Sequence, residues 1–168
     1  ILFGGTDPSN LTKKVYDIVK KIHKKYQNIN YTFITGIGYD CKKNEIISDE
    51  TFNIKVVNNV NNISEYIANA DLAFTSQGRT VYELASLGVP SIVLAQNNRE
   101  LLHTFAQMSN GFINLGLGKE VTETTIKNTA EWLIETPAVR YNMRKLMLEK
   151  DLKDGLNKEI KLILGGEF

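Results

Sequence analysis

Short apolar runs alternate with amphipathic stretches along almost the whole chain. Residues 1–3 are strand-like and run into Gly4-Gly5-Thr6-Asp7-Pro8-Ser9-Asn10. Leu11, Val15, Ile18, Val19 and Ile22 then recur at helical spacing, opposite Lys13, Lys14, Lys20, Lys21, Lys24 and Lys25. This predicts an amphipathic helix with a solvated lysine face, capped by Ser9 or Asn10. His23 falls among those lysines and is expected at the surface. Residues 31–37 are β-rich and close on Gly36-Ile37-Gly38, 41–51 are polar and irregular, and 54–57 form a third strand. A polar loop over 58–62 leads to a short helix over 63–69.

The clearest unit follows, over residues 70–96, ADLAFTSQGRTVYELASLGVPSIVLAQ. It reads as a strand over 71–75, a break at Ser76-Gln77-Gly78, a helix over 79–87 stopped by Gly88, and a strand over 91–95 entered through Pro90. Residues 99–109 are expected to be helical, 112–115 a strand, 115–118 a turn and 122–134 an amphipathic helix. Thr136-Pro137 opens another helix, because proline suits the first helical position. Asp154 is placed to cap a last one over 156–164. Alternating strands and helices without a strand–strand hairpin signal predict an α/β, Rossmann-like open parallel sheet with helices on both faces.

Composition narrows the function classes. The chain has 168 residues, enough for one domain with a real core. Twenty basic residues against nineteen acidic ones leave a formal charge of +1, which argues against nucleic acid as a partner. No apolar run approaches the roughly 20 residues of a membrane span. The single cysteine, Cys41, excludes an internal disulfide framework and a cysteine metal cluster, and a cytoplasmic location fits. No metal is expected, and no cofactor. The start, ILFGG, lacks an initiator methionine and begins inside a strand, so the expectation is one domain, residues 1–168, excised from a longer polypeptide.

Ligands of open α/β sheets bind at the carboxyl ends of the strands. Three segments fall there: Gly4-Gly5-Thr6-Asp7, residues 57–60 around Val57, and Ser76 to Glu83. The first and third are small, polar and glycine-bearing, and together can form two walls of a crevice. The helix that follows Gly78 offers free N–H groups and a positive dipole end to an anion such as phosphate. Thr80 adds a hydroxyl, and Glu83, three residues on, shares its face and can take two hydrogen bonds from a ribose cis-diol. The same Thr80–Glu83 spacing also suits a capping box. Arg79 is either an added cation for a diphosphate or a solvated first-turn residue.

ADLAFTSQGRTVYELASLGVPSIVLA resembles the nucleotide-diphosphate motif in the C-terminal domain of GT-B glycosyltransferases. FGGTDPSNLT is similar to the pseudaminic-pathway UDP-sugar hydrolases and their spore-coat-polysaccharide relatives. The resemblance implies that Glu83 holds the ribose and that Ser76, Gly78, Arg79 and Thr80 form the diphosphate turn. Gly4, Gly5 and Thr6 would face the phosphates, and the backbone near Val57 would meet the uracil edge. The Asn-Gln or Gln-Gln pair that often reads the donor sugar is not matched; Asn98, Glu100 or His103 stands in that segment. QNNRELLHTFA resembles spore-coat-type domains, some of which are fused behind a cytidylyltransferase that activates sialic-like acids. The expected ligand is thus a UDP-sugar, and the expected partner a missing N-terminal domain of the same polypeptide carrying the chemistry. The alternative is a non-catalytic accessory domain in such a fusion.

Overall fold

The computed structural model describes residues 1–155. Five strands run parallel: β1 (Tyr31–Thr35) pairs with β2 (Ile54–Asn58), while β3 (Ala73–Thr75), β4 (Ser91–Ala95) and β5 (Phe112–Leu117) pair in that order. Residues 1–3 fill the gap between the two groups. Leu2 makes parallel bridges to Ile34 and Thr75, its N–H donates to the Phe74 carbonyl at 2.9 Å, and Ile34 N–H donates to Ile1 at 2.9 Å. The lateral order is therefore β2, β1, residues 1–3, β3, β4, β5. Gly4, at φ +84°, turns the chain away from the sheet in a conformation that few other residues adopt.

Successive side chains of a strand point to opposite faces, and here both faces are buried, as in a parallel sheet covered by helices. Phe33, Phe74, Ile92 and Leu94 pack with the apolar stripe of α1 (Leu11–His23) and with Ile126, Ala130 and Leu133 of α4 (Glu123–Glu135). Leu2, Ile34, Ala73 and Val93 pack on the other face with Ile67 of α2 (Ile63–Ala68), with Val81, Leu84 and Ala85 of α3 (Thr80–Leu87), and with Met147 of α5 (Pro137–Leu148). The expected fold class holds. Gly88 ends α3 at φ +67°, and Pro137 opens α5.

Three local expectations are corrected. Residues 99–109 form two 3₁₀ turns, Glu100–Leu102 and Met108–Asn110, separated by irregular chain. A continuous helix needs the carbonyls of this segment, and side chains take them instead. Gln77 Nε2 donates to the His103 carbonyl, Asn110 Nδ2 to Phe105 at 2.7 Å and Asn114 Nδ2 to Ala106 at 2.9 Å. Residues 115–117 belong to β5, which continues past Gly116 (φ +81°) with a register shift against β4. His23 is 8% exposed and meets the rings of Tyr31 and Phe52 edge-on, at centroid separations of 6.2 and 5.8 Å. It lies one turn beyond Val19 and so extends the apolar stripe. The expected helix over 156–164 lies outside the described residues.

Candidate functional site

The topology brings the candidate loops together before any side chain is considered. The strand at residues 1–3 lies beside β3, so the loop leaving Phe3 and the turn leaving Thr75 emerge side by side at the carboxyl edge. Gly4, Gly5 and Thr6 are exposed along one of these loops, while Ser76 and Gln77 are buried and Gly78 is half-buried in the other.

A second glycine pair supports the first loop. A Cβ on Gly36 would lie 2.3 Å from the Gly5 Cα and 2.6 Å from its carbonyl oxygen, so the two backbones are in direct contact. Gly38 N–H donates to the Gly5 carbonyl at 3.0 Å. Gly36-Ile37-Gly38 at the end of β1 is thus a seat for the Gly4–Thr6 loop, a role that the sequence reading did not assign.

Asp7 ends that loop, 5% exposed, with φ +39°. Its carboxylate accepts the backbone N–H of Leu11 at 3.0 Å and of Thr12 at 2.6 Å, occupying the N-terminus of α1. Asp7 therefore does the capping expected of Ser9 or Asn10. Asn10, in the left-handed region, makes no side-chain cap, and its amide instead bonds Asn44 at 2.9 Å and accepts from Tyr39 at 2.6 Å. Ser9 Oγ donates to the Gln96 carbonyl at 2.5 Å. Desolvation raises the Tyr39 hydroxyl pKa well above the usual tyrosine range, with Asp7 adding to the effect.

The second helix N-terminus behaves differently. Arg79 is the N-cap of α3 and no side chain caps it, so the capping-box arrangement of Thr80 and Glu83 is not formed. Thr80 is half-buried, while Arg79 and Glu83 are exposed. Of the two helices that start at this edge beside the glycine-bearing loops, α1 is capped from within by Asp7, while α3 has no side-chain cap among the described residues. Thr75, directly beneath the turn, is fully buried, and its hydroxyl has no hydrogen-bond partner among the described residues.

Val57 is half-buried on β2, the outermost strand of that side. Its carbonyl accepts from Thr35 Oγ1 at 3.4 Å. Two strand steps, about 10 Å, separate β2 from residues 1–3. Val57 therefore lies on one side of the Gly4–Thr6 loop and the α3 N-terminus on the other.

The segment after β4 is closely tied to this edge. Glu100 Oε2 accepts Gln96 N–H at 2.8 Å and Gln77 N–H at 3.2 Å. His103 Nδ1 lies 2.7 Å from the Gln77 carbonyl oxygen, and Gln77 Oε1 accepts from Asn114 at 3.0 Å. Asn98 is exposed. Glu100 and His103 thus have protein partners, whereas Asn98 makes no side-chain hydrogen bond among the described residues.

A cavity of about 740 Å³ lies at the opposite edge, where the strands begin, and none of these residues lines it. Among the described residues no group of three or more His, Cys, Asp or Glu could hold a metal, and no helix is long and apolar enough to cross a membrane.

Residues 1–156 match the glycosyltransferase family 28 C-terminal domain. An uncharacterized protein of Methanocaldococcus jannaschii is 36% identical over 99 residues, which cover 58% of this chain and 20% of that protein. The UDP-N-acetylglucosamine–N-acetylmuramyl-(pentapeptide) pyrophosphoryl-undecaprenol N-acetylglucosamine transferase of Bacillus cytotoxicus is 28% identical, over 94% of this chain and 45% of that enzyme. The spore coat polysaccharide biosynthesis protein SpsG of Bacillus subtilis is 24% identical, over 86% and 43%. The chain thus spans less than half the length of these relatives. Among solved structures, the pneumococcal O-GlcNAc transferase GtfA, in complex with UDP and GlcNAc, shares the fold at a TM-score of 0.53 and 15% identity, covering 91% of this chain and 33% of that one.

Proposed function

The chain belongs to the glycosyltransferase family 28 C-terminal domains, and on that premise we propose that it holds the nucleoside diphosphate part of a UDP-sugar. The observation that carries this reading is the open N-terminus of α3 beside a glycine loop whose own helix is already capped. In the proposed complex the diphosphate lies against Ser76, Gly78 and Thr80, with Arg79 adding positive charge. Gly4, Gly5 and Thr6 form the facing wall. The helix dipole then stabilises the charge that grows on the leaving diphosphate as the anomeric bond breaks. Glu83 accepts the ribose hydroxyls, and the uracil edge meets the backbone near Val57. Asn98, exposed and unengaged, is the residue of its segment best placed to meet the sugar.

In this proposal the whole protein is a hydrolase or glycosyltransferase of surface-polysaccharide or nonulosonic acid synthesis, and an N-terminal domain of the same polypeptide supplies the reacting groups. A second reading, an accessory domain beside a sialic-acid-type cytidylyltransferase, is favoured by one observation. Glu100 and His103, which stand where a sugar-reading pair is expected, are engaged in internal hydrogen bonds.

Calorimetry with UDP and 2′-deoxy-UDP tests the first reading. A hydrogen bond to a charged group contributes about 1.5–3 kcal/mol, so UDP is expected to bind roughly ten- to a hundredfold tighter than the deoxynucleotide. Glu83→Ala should erase that preference without changing stability, because Glu83 is exposed. No binding of UDP at millimolar concentration, or a preference that survives Glu83→Ala, would refute it and leave the accessory reading.

A further inference from the structure

Both walls of the crevice are fastened to one residue pair after β4, and neither member is needed by the fold as a core side chain. Gln96, 5% exposed, reaches the first wall. Its Nε2 donates to Asp7 Oδ1 at 2.6 Å and to the Phe3 carbonyl at 3.1 Å, and its Oε1 accepts Ser9 N–H at 3.1 Å. Glu100 reaches the second wall. Its Oε2 accepts the Gln96 and Gln77 amides at 2.8 and 3.2 Å, and its own N–H is held by Asn97 Oδ1 at 3.1 Å. Gln77, 3% exposed, has its remaining polar groups bound to His103 and Asn114. Asp7, Gln96, Glu100 and Gln77 thus form one hydrogen-bonded chain from the glycine loop to the diphosphate turn.

We propose that Glu100 is a positioning residue for the nucleoside diphosphate, latching the 76–78 turn to the end of β4 and, through Gln96, to the Gly4–Thr6 loop. The assignment rests on the proposed nucleotide site and adds to it a residue that acts without touching the ligand. Glu100 sets the spacing of the two walls, and its charge opposes the function it supports. A carboxylate whose Oε1 lies 3.7 Å from a Cβ position on Gly78 repels an incoming diphosphate. Both amides bond the same oxygen, so the single carbonyl of a glutamine can make the same latch without the charge.

Titration of the 168-residue chain with UDP at low and high salt, together with amide exchange of Gln77 and Gln96, tests this. Glu100→Ala is expected to weaken UDP binding roughly tenfold, about 1.4 kcal/mol, and to speed exchange of both amides. Glu100→Gln should keep both amides protected and bind UDP at least as tightly as the parent, with the gain shrinking as salt screens the lost repulsion. If Glu100→Ala does not fold, Glu100→Asp, one methylene short of the amides, replaces it with the same expected direction. Parent-like affinity in Glu100→Ala overturns the proposal. So does weak binding in Glu100→Gln with both amides still protected, which would make the carboxylate a direct ligand contact. If the parent chain fails to bind UDP, the nucleotide reading falls, and the latch is judged by exchange alone: unaccelerated Gln77 and Gln96 amides in Glu100→Ala overturn it.

Discussion

Replacing Gly36 by alanine tests the seat of the glycine loop, because the added atom meets backbone rather than a yielding side chain. The new Cβ would lie 2.3 Å from Gly5 Cα, 2.6 Å from its oxygen and 2.8 Å from its carbonyl carbon. Ordinary contact begins near 3.4 Å, so the loop must retreat by about 1 Å, and overpacking of this kind costs about 1–3 kcal/mol. The retreat also stretches the 3.0 Å bond from Gly38 N–H to the Gly5 carbonyl, a further loss of about 1 kcal/mol. A total of about 2–4 kcal/mol, at a urea slope of about 2 kcal/mol per molar, lowers the unfolding midpoint by about 1–2 M. Affinity for UDP should fall as well, since the facing wall has moved. Gly5→Ala is the control: nothing lies within 4 Å of its Cβ, so stability should change by no more than about 0.5 kcal/mol while a diphosphate seated on the loop is still obstructed. A loss below about 0.5 kcal/mol in Gly36→Ala, with UDP binding intact, would refute the seat.

Two further substitutions address the supports of the site. Asp7→Ala removes the cap of α1 and leaves the buried amide of Gln96 short of a partner; a cost of about 2–4 kcal/mol is expected in denaturant unfolding. Asp7→Asn keeps an acceptor for Leu11 but sets its NH2 against the Thr12 N–H, so it should recover only part of the loss, and an Asp7→Ala loss below about 0.5 kcal/mol would refute the capping role. Arg144 Nη1 donates to the Leu87 and Gly88 carbonyls at 3.0 and 2.9 Å, closing the far end of α3. Arg144→Ala should cost about 1–2 kcal/mol and lower the melting temperature by roughly 3–6 °C, and an unchanged melting curve would show the contact to be idle.

The sheet was legible because its signals are local. Short apolar runs, helical stripes and Gly88 or Pro137 each act over a few residues, and the strands and long helices form where they indicate. The exceptions depend on distant partners. Leu101, Leu102, Phe105 and Met108 have the spacing of a helix face, yet Leu102 is 77% exposed and Met108 69%. Carbonyls in their segment are taken by Gln77 and Asn114, which no local pattern announces. His23 is the opposite case, since neighbouring lysines mask its place on the apolar stripe. The site divides in the same way. Glycine-bearing loops at strand ends pointed to both walls. The brace through Asp7, Gln96 and Glu100 includes a bond between residues 89 positions apart, and its polar side chains look like ordinary loop residues in the sequence. The Gly36–Gly38 seat did leave a trace, a second closely spaced glycine pair ending the neighbouring strand.

Leu2 gives the sheet a particular order of assembly. The pairs β1–β2 and β3–β4–β5 can each form from contiguous chain, but among the described residues only the strand at 1–3 joins them, bonded on one side to Ile34 and on the other to Thr75. These three residues precede β1 in the chain, yet they can bond on both sides only once everything to the end of β3 is in place. Contacts so far apart along the chain carry a high loop-closure entropy and slow the rate-limiting step of folding. Until that step two part-sheets with open edges coexist, and unpaired edges are where chains associate wrongly. Closure of the same gap sets the Gly4–Thr6 loop beside the 76–78 turn, so the two loops become neighbours only when the part-sheets join.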